Sequence, residues 1–241
     1  MANPSLVQVA GNQTASTVNT LAQAFGSNNA AGNLLFVQVG WYNPAGTLTV
    51  SVADSLNGAV YTALTAVQGG VSVVSTQGFY LLNSKAGANT VTATISGAGA
   101  SFVALNILEY LPGNGVPLAF DAQNGSVVSG PSFTSASITV AQANELALNY
   151  ITSGVGAGYT HGAGWTAEVP PQTASTFSMV QDMIAPMGSL AATGTAGSSL
   201  NVAAGIVAFK QGVPTASSSG GGVGSLGLGL GLGPMSKWEM F

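Results

Sequence analysis

Hydrophobicity repeats with a period of two along much of this chain, and this repeat limits the fold more than any other feature. The segments 47–54 (TLTVSVAD) and 89–96 (NTVTATIS) alternate aliphatic residues with threonine or serine. Successive side chains of a β-strand point to opposite faces of the sheet, so this pattern is typical of half-buried strands. Further strands are predicted at 33–42, 101–110, 132–140, 144–152 and 200–209.

Turn-forming residues separate the predicted strands. Glycine occurs with proline, asparagine or serine at 43–46 (NPAG), 55–58 (SLNG), 111–115 (LPGNG) and 124–126 (NGS). Strands punctuated in this way predict an all-β sandwich or barrel. The methionines of 176–187 (TFSMVQDMIAPM) fit either a helix or one face of a strand, and we favour the strand.

A short stretch of sequence is repeated in weaker form. Residues 31–39 (AGNLLFVQV) are similar to residues 142–150 (QANELALNY), and each consists of a turn followed by an apolar strand. This internal similarity favours two packed sheets built from similar units. A chance match of this length is the alternative.

The composition excludes several classes of partner. The 241 residues include three Lys or Arg and seven Asp or Glu, a net charge of −4, and 4% charged residues where about 25% is usual. Binding to nucleic acid or to an anionic membrane needs many basic side chains, so neither partner is predicted. The absence of cysteine excludes disulfides and thiolate metal sites.

The first residues, MANPSLVQVAGNQTAS, have neither the basic region nor the apolar region of a secretory signal. No run of about 18 apolar residues is long enough to span a bilayer. The composition, rich in Ala, Gly, Ser, Thr, Val and Asn, is nevertheless typical of extracellular proteins. We therefore expect a virion or an extracellular surface, reached through cell lysis, as the location.

The composition changes near the end of the chain. Residues 1–210 are predicted as the β-sandwich domain, 211–225 (QGVPTASSSGGGVGS) as a flexible Gly/Ser linker, and 226–241 (LGLGLGLGPMSKWEMF) as an extended C-terminal arm. In an extended chain the four leucines of the arm share one face, and glycines leave the other face bare.

The arm is predicted to add as a strand to a sheet of a partner, which is a second copy or another structural protein. Its aromatic residues would anchor it there. The predicted assembly residues are Leu226, Leu228, Leu230, Leu232, Trp238 and Phe241. A disordered tail is the alternative.

Few residues suggest chemistry. His161 is the single histidine, and no G-x-S-x-G elbow accompanies it, so a hydrogen-bonded loop position is favoured. Glu109 and Glu145 are expected to mark strand ends in solvent, and Asp54 to cap a turn. A calcium role for Asp54 has no D-x-D pattern to support it. No catalytic residue, metal ligand or cofactor is predicted, so the chain is not expected to be an enzyme.

Aromatic residues near asparagine could bind a glycan without catalysis. The candidate contacts are Trp41, Tyr42, Tyr159 and Trp165. The favoured alternative is that the two tryptophans fill the core at the edges of the sheets.

Five short landmarks occur in order at 31–35 (AGNLL), 54–61 (DSLNGAVY), 79–82 (FYLL), 89–92 (NTVT) and 109–110 (EY). Together they resemble a β-sandwich domain found in bacterial surface proteins and phage structural proteins, over about residues 5–210. The resemblance implies a two-sheet antiparallel jelly roll of lectin-like type. Domains of this group bind, adhere or decorate, and they carry no fixed catalytic motif.

These observations predict a non-enzymatic structural subunit of a surface assembly, first a phage virion protein such as a capsid decoration or a fibre. A carbohydrate-binding adhesin is the alternative. A hydrolase using Glu109, Asp121 or His161 ranks third.

Overall fold

The computed structural model describes residues 2–43, 46–69, 73–97, 99–153, 159–168 and 177–213, with backbone alone at Val73, Pro131, Phe177 and 196–200. These residues form seventeen strands and no helix, and every ladder between strands is antiparallel. The all-β class is confirmed. In the described ranges there is accordingly no helix that could cross a bilayer.

The strands are β1 (Ser5–Thr14), β2 (Thr20–Ala24), β3 (Leu34–Asn43), β4 (Val50–Asp54), β5 (Thr62–Ala63), β6 (Val67–Gln68), β7 (Val73–Leu81), β8 (Thr90–Ile95), β9 (Val103–Leu111), β10 (Ala119–Thr134), β11 (Ile138–Val140), β12 (Glu145–Ser153), β13 (Tyr159–His161), β14 (Thr166–Ala167), β15 (Phe177–Ala185), β16 (Gly188–Leu190) and β17 (Thr193–Lys210).

The described strands form four sheets, where the sequence predicted two. The first large sheet has the order β1-β9-β3-β7-β5, with β6 also on β7, and a small sheet β2-β8-β4 accompanies it. The second large sheet has the order β10-β17-β12-β15-β14, with β13 also on β17, and a small sheet β11-β16 accompanies it. We call β1–β9 the first half and β10–β17 the second half.

The two halves repeat one topology. The strand order of the second large sheet matches that of the first, strand for strand: β10, β17, β12, β15 and β14 correspond to β1, β9, β3, β7 and β5. A β-bulge also recurs, because the register shifts between Leu6 and Gln8 in β1 and between Phe120 and Ala122 in β10. Bulges are specific features of a strand pair, so their equivalent positions make the repeat more than a shared order.

The register identifies which residues of the two halves correspond. Leu34 pairs with Tyr110 in the first half, and Leu146 pairs with Phe209 in the second. The sequence similarity between 31–39 and 142–150 aligns Leu34 with Glu145 instead, one position before Leu146. A shift of one residue moves a side chain to the other face of a sheet, so the structural alignment is the one that preserves the core.

Three apolar layers lie between the four sheets. The central layer packs the two large sheets face to face and includes Leu34, Phe36, Tyr150 and Phe209. One outer layer lies between the first large sheet and β2-β8-β4, and another between the second large sheet and β11-β16. Because they lie between two layers, β3 and β12 are buried on both faces and have continuous apolar runs.

Most predicted strands are confirmed, with changes at their ends. The alternation of 89–96 places Val91, Ala93 and Ile95 in the core as β8. Residues 132–140 belong to two strands, since β10 ends at Thr134 and β11 begins at Ile138. The segment 176–187 contains strand β15, as favoured over a helix.

Candidate functional site

Asp54 is the cap of a tight turn, as predicted. Its Oδ1 accepts hydrogen bonds from the backbone of Leu56 at 2.9 Å and of Asn57. Its Oδ2 accepts from the Tyr61 hydroxyl at 2.7 Å and from Asn89 Nδ2 at 3.0 Å. Burial alone would raise the pKa of Asp54, but these donors hold it below its usual value. The carboxylate therefore organises the loop that joins β4 to β5.

Glu109 is buried, which corrects the expectation of a strand end in solvent. One oxygen accepts from Gln8 Nε2 at 2.6 Å and from Asn29 Nδ2 at 2.8 Å. The other accepts from the Ala30 amide at 2.8 Å and from Asn33 Nδ2 at 2.7 Å. Burial acts to raise the pKa of Glu109, and the four donors outweigh it and lower the pKa. The negative charge of Glu109 is thus stabilised by hydrogen bonds from the turn that precedes β3 and from Gln8 of β1.

Glu145 is also buried, contrary to the same expectation, but its surroundings differ. Its Oε1 accepts from the Gln142 amide at 2.9 Å, while no donor among the described residues reaches Oε2. Burial, followed by the nearby carboxylate of Asp121, raises the pKa of Glu145 to about 7. Asp121 in turn accepts from the Ala141 amide at 3.0 Å and pairs with Lys210 at 3.3 Å.

A second pair of carboxyl groups lies beside β14. Burial and the neighbouring charge of Asp182 raise the pKa of Glu168 to about 7. Asp182 accepts a 2.9 Å hydrogen bond from the Tyr110 hydroxyl, which reaches it from the first half. Burial raises the pKa of Asp182, although the hydrogen bond from the Tyr110 hydroxyl acts to lower it. Neither pair was predicted from the sequence, because the two partners of each pair come from different segments of the chain.

As a result, the described surface carries little charge. Each acidic residue in the described ranges is buried or half-buried and is hydrogen bonded within the chain. These residues are Asp54, Glu109, Asp121, Glu145, Glu168 and Asp182. Lys85 is exposed, and Lys210, with 40% of its side chain exposed, is paired with Asp121. The exterior of this part of the chain is otherwise made of uncharged side chains.

The predicted glycan contacts are not brought together. Trp41 is fully buried in the outer core of the first half, and Trp165 is 5% exposed in that of the second. This confirms the core alternative for both indoles, since neither presents a face on which a sugar could stack. Tyr42 and Tyr159 are half-buried, and Tyr159 packs edge-on against Phe133 at 6.2 Å.

His161 lies at the end of β13 and is exposed, with Nδ1 3.2 Å from the Gly162 carbonyl. In the described residues no three His, Cys, Asp or Glu side chains gather as a metal site. The linker beyond residue 213 and the arm, with Leu226, Leu228, Leu230, Leu232, Trp238 and Phe241, lie outside the described residues.

A polar cleft of about 320 Å³ lies where β6 of the first half approaches β10 of the second. Gln68 and Gln123 line it, and Gln123 Oε1 also accepts from the Thr65 amide at 2.9 Å. Gly125 lies close to Val67, since a Cβ at residue 125 would be 2.2 Å from Cγ2 of that valine. None of the described residues that line the cleft is charged, so its chemistry suits a neutral ligand that carries hydroxyl groups.

Comparison with known proteins gave no match to a family model, to a curated protein or to a solved structure.

Proposed function

We propose that this chain is a non-enzymatic structural subunit of a surface assembly, docked through its C-terminal arm. The observation that carries the proposal is the nearly uncharged exterior of the described residues. Charged groups are costly to bury at an interface unless they are paired, and a surface with few charges avoids this cost. A protein with little surface charge also associates more readily than a highly charged one.

The arm supplies the second element of the proposal. Its alternating leucine and glycine residues suit a strand added to the edge of a partner sheet, where backbone hydrogen bonds give affinity and side-chain pockets give specificity. The partner is a second copy of this chain or another structural protein.

Within this class we propose a phage virion protein, a capsid decoration or a fibre, built on a lectin-like jelly roll. The sequence landmarks support this narrower proposal, as do the antiparallel sheets packed in layers. The carbohydrate-binding alternative is supported by the cleft between β6 and β10, but not by Trp41 and Trp165, which are buried. We therefore propose the structural role ahead of it.

Truncation tests the proposal. The full chain should form assemblies whose mass rises with concentration in sedimentation experiments, whereas a chain ending at Val213 should stay a monomer with an unchanged circular dichroism spectrum. The double variant Leu228→Asp/Leu230→Asp should also fail to assemble, because buried carboxylates without partners are costly.

The matched control is Ser218→Asp, which adds a charge in the linker and should assemble like the full chain. Assembly of the truncated chain, or of the double variant, to the same extent as the full chain would disprove docking through the arm.

A further inference from the structure

The buried carboxyl groups of the two halves are compensated differently by their neighbours. In the first half, Glu109 has four hydrogen-bond donors on its two oxygens. In the second half, Glu168 and Asp182 are diagonal neighbours across the β14–β15 pair, since Thr166 pairs with Asp182 and Glu168 N donates to Val180 O. The donor to Asp182 is the Tyr110 hydroxyl. The single ion pair of the described residues joins Lys210 to Asp121, so no ion pair of that part of the chain compensates Glu168 or Asp182.

In the pair of Glu145 and Asp121 the shortage of donors is confined to one oxygen of Glu145, because Lys210 and the Ala141 amide donate to Asp121. Glu145 is fully buried, and its Oε2 meets no donor. The charged groups that face it are Asp121 from β10 and Lys210 from β17. A proton on Glu145 would let its carboxyl group donate to Asp121. Two carboxyl groups that share one proton are the usual solution when both cannot ionise at close range.

We propose that the second half is a pH-responsive element in which the pairs Glu168–Asp182 and Glu145–Asp121 each share one proton that holds a neighbouring segment on the sheet. The first proton holds β14, whose contacts with β15 include the pairing of Thr166 with Asp182 and the hydrogen bond from Glu168 N to Val180 O, at 2.9 Å. The second holds the turn at 141–144 that leads into β12.

Loss of either proton leaves two negative charges in contact. The carboxylates then repel each other, and the segment that carries one of them separates to let water reach the charge. For β14 this means leaving the edge of β15. For the turn at 141–144 it means loss of the hydrogen bonds from the Gln142 and Ala141 amides to Glu145 and Asp121.

The direction of the pH dependence follows from where the protons are bound. An unfolded glutamate ionises near pH 4.3, whereas the pKa of both Glu145 and Glu168 in the folded chain is about 7. The folded chain therefore keeps protons that the opened chain releases. The stabilising contribution is complete below about pH 4.3 and is lost as the pH rises through about 7.

Amide hydrogen exchange of the full chain at pH 6 and pH 8, followed by NMR and corrected for the intrinsic rates, tests the proposal. The equilibrium constant for opening should rise about tenfold between these pH values at the amides of Glu168 and Gln142. The amide of Ala30, which donates to the ionised Glu109, should show no such rise.

Two variants separate the two pairs. Glu168→Gln can still donate to Asp182 but cannot ionise, so it should remove the pH effect at residue 168 and leave it at residue 142. Glu145→Gln should do the reverse. Equal protection at both pH values in the wild type, or the same change at Ala30 as at Glu168 and Gln142, would overturn the proposal. The wild-type comparison decides this even where a variant fails to fold.

Discussion

At the level of single residues, the carboxylates of this protein organise its interior. Glu109 connects β9 to the turn before β3 and to β1, because its donors come from Gln8, Asn29, Ala30 and Asn33. A buried donor that loses its acceptor costs about 1–3 kcal/mol, so several donors on one acceptor make that acceptor critical.

Replacing Glu109 by alanine should therefore lower the free energy of unfolding by at least about 3 kcal/mol, because several buried donors lose their partner. Urea denaturation at pH 6 measures the effect. Gln8→Ala is the control, since it removes one of the four donors to Glu109 together with the exposed hydrogen bonds of Gln8 to Ser27, and it should cost about 1 kcal/mol or less. A loss for Glu109→Ala no larger than that of the control would contradict this role.

Among the strands, β17 sets the spacing at the centre of the second large sheet. It pairs with both β10 and β12, and its Gly205 lies opposite Tyr150 of β12. A Cβ at residue 205 would lie 2.2 Å from Cζ and 2.5 Å from the hydroxyl oxygen of Tyr150. Tyr150 is buried and packs on Phe36 of the first half at 5.5 Å, so the ring has no free space into which to move.

The variant Gly205→Ala should thus lose about 2 kcal/mol of stability, since overfilling a packed core typically costs 1–3 kcal/mol. Thermal and urea unfolding provide the measurement. Gly26→Ala serves as the matched control, because no atom lies within 4 Å of its added Cβ, and its stability should change by less than about 0.5 kcal/mol. Equal stabilities of the two variants would show that β17 can shift to accept the methyl group.

On the scale of the whole molecule, the central apolar layer belongs to both halves. Leu34 and Phe36 of the first half meet Leu148 and Phe209 of the second in one core. Beside it, a buried polar group joins the same sheets: Asn106 Nδ2 donates to Gln38 Oε1 at 2.6 Å and to Ser178 Oγ at 2.8 Å. Neither half can expose this face to water without losing both sets of contacts.

We accordingly predict that the two halves unfold together. Differential scanning calorimetry should show one transition with equal calorimetric and van't Hoff enthalpies, which is the criterion for two-state unfolding. A chain of residues 1–116 alone should aggregate, because it exposes the apolar face that normally covers the second half. Two resolved transitions, or a soluble and cooperatively folded first half, would contradict the shared core.

The sequence by itself determined the fold class and several of the core strands. The period of two predicted β4 and β8, and continuous apolar runs predicted β3, β9 and β12, because side-chain alternation and burial are local properties of a strand. The strand β1 was not predicted, since its exposed and half-buried polar residues give no clear alternation. The turn role of Asp54 was also predicted, because its donors follow within a few residues.

The tertiary structure alone decided how the halves align and where the charges lie. The similarity between 31–39 and 142–150 suggested similar units. The pairing of β3 with β9 and of β12 with β17 was needed to determine which residues of the two halves correspond. Glu109, Glu145 and Glu168 have neighbours from other strands, so the surroundings of their carboxyl groups follow from contacts between distant parts of the chain. Such contacts leave no periodic trace in a sequence, since each depends on how whole sheets pack together.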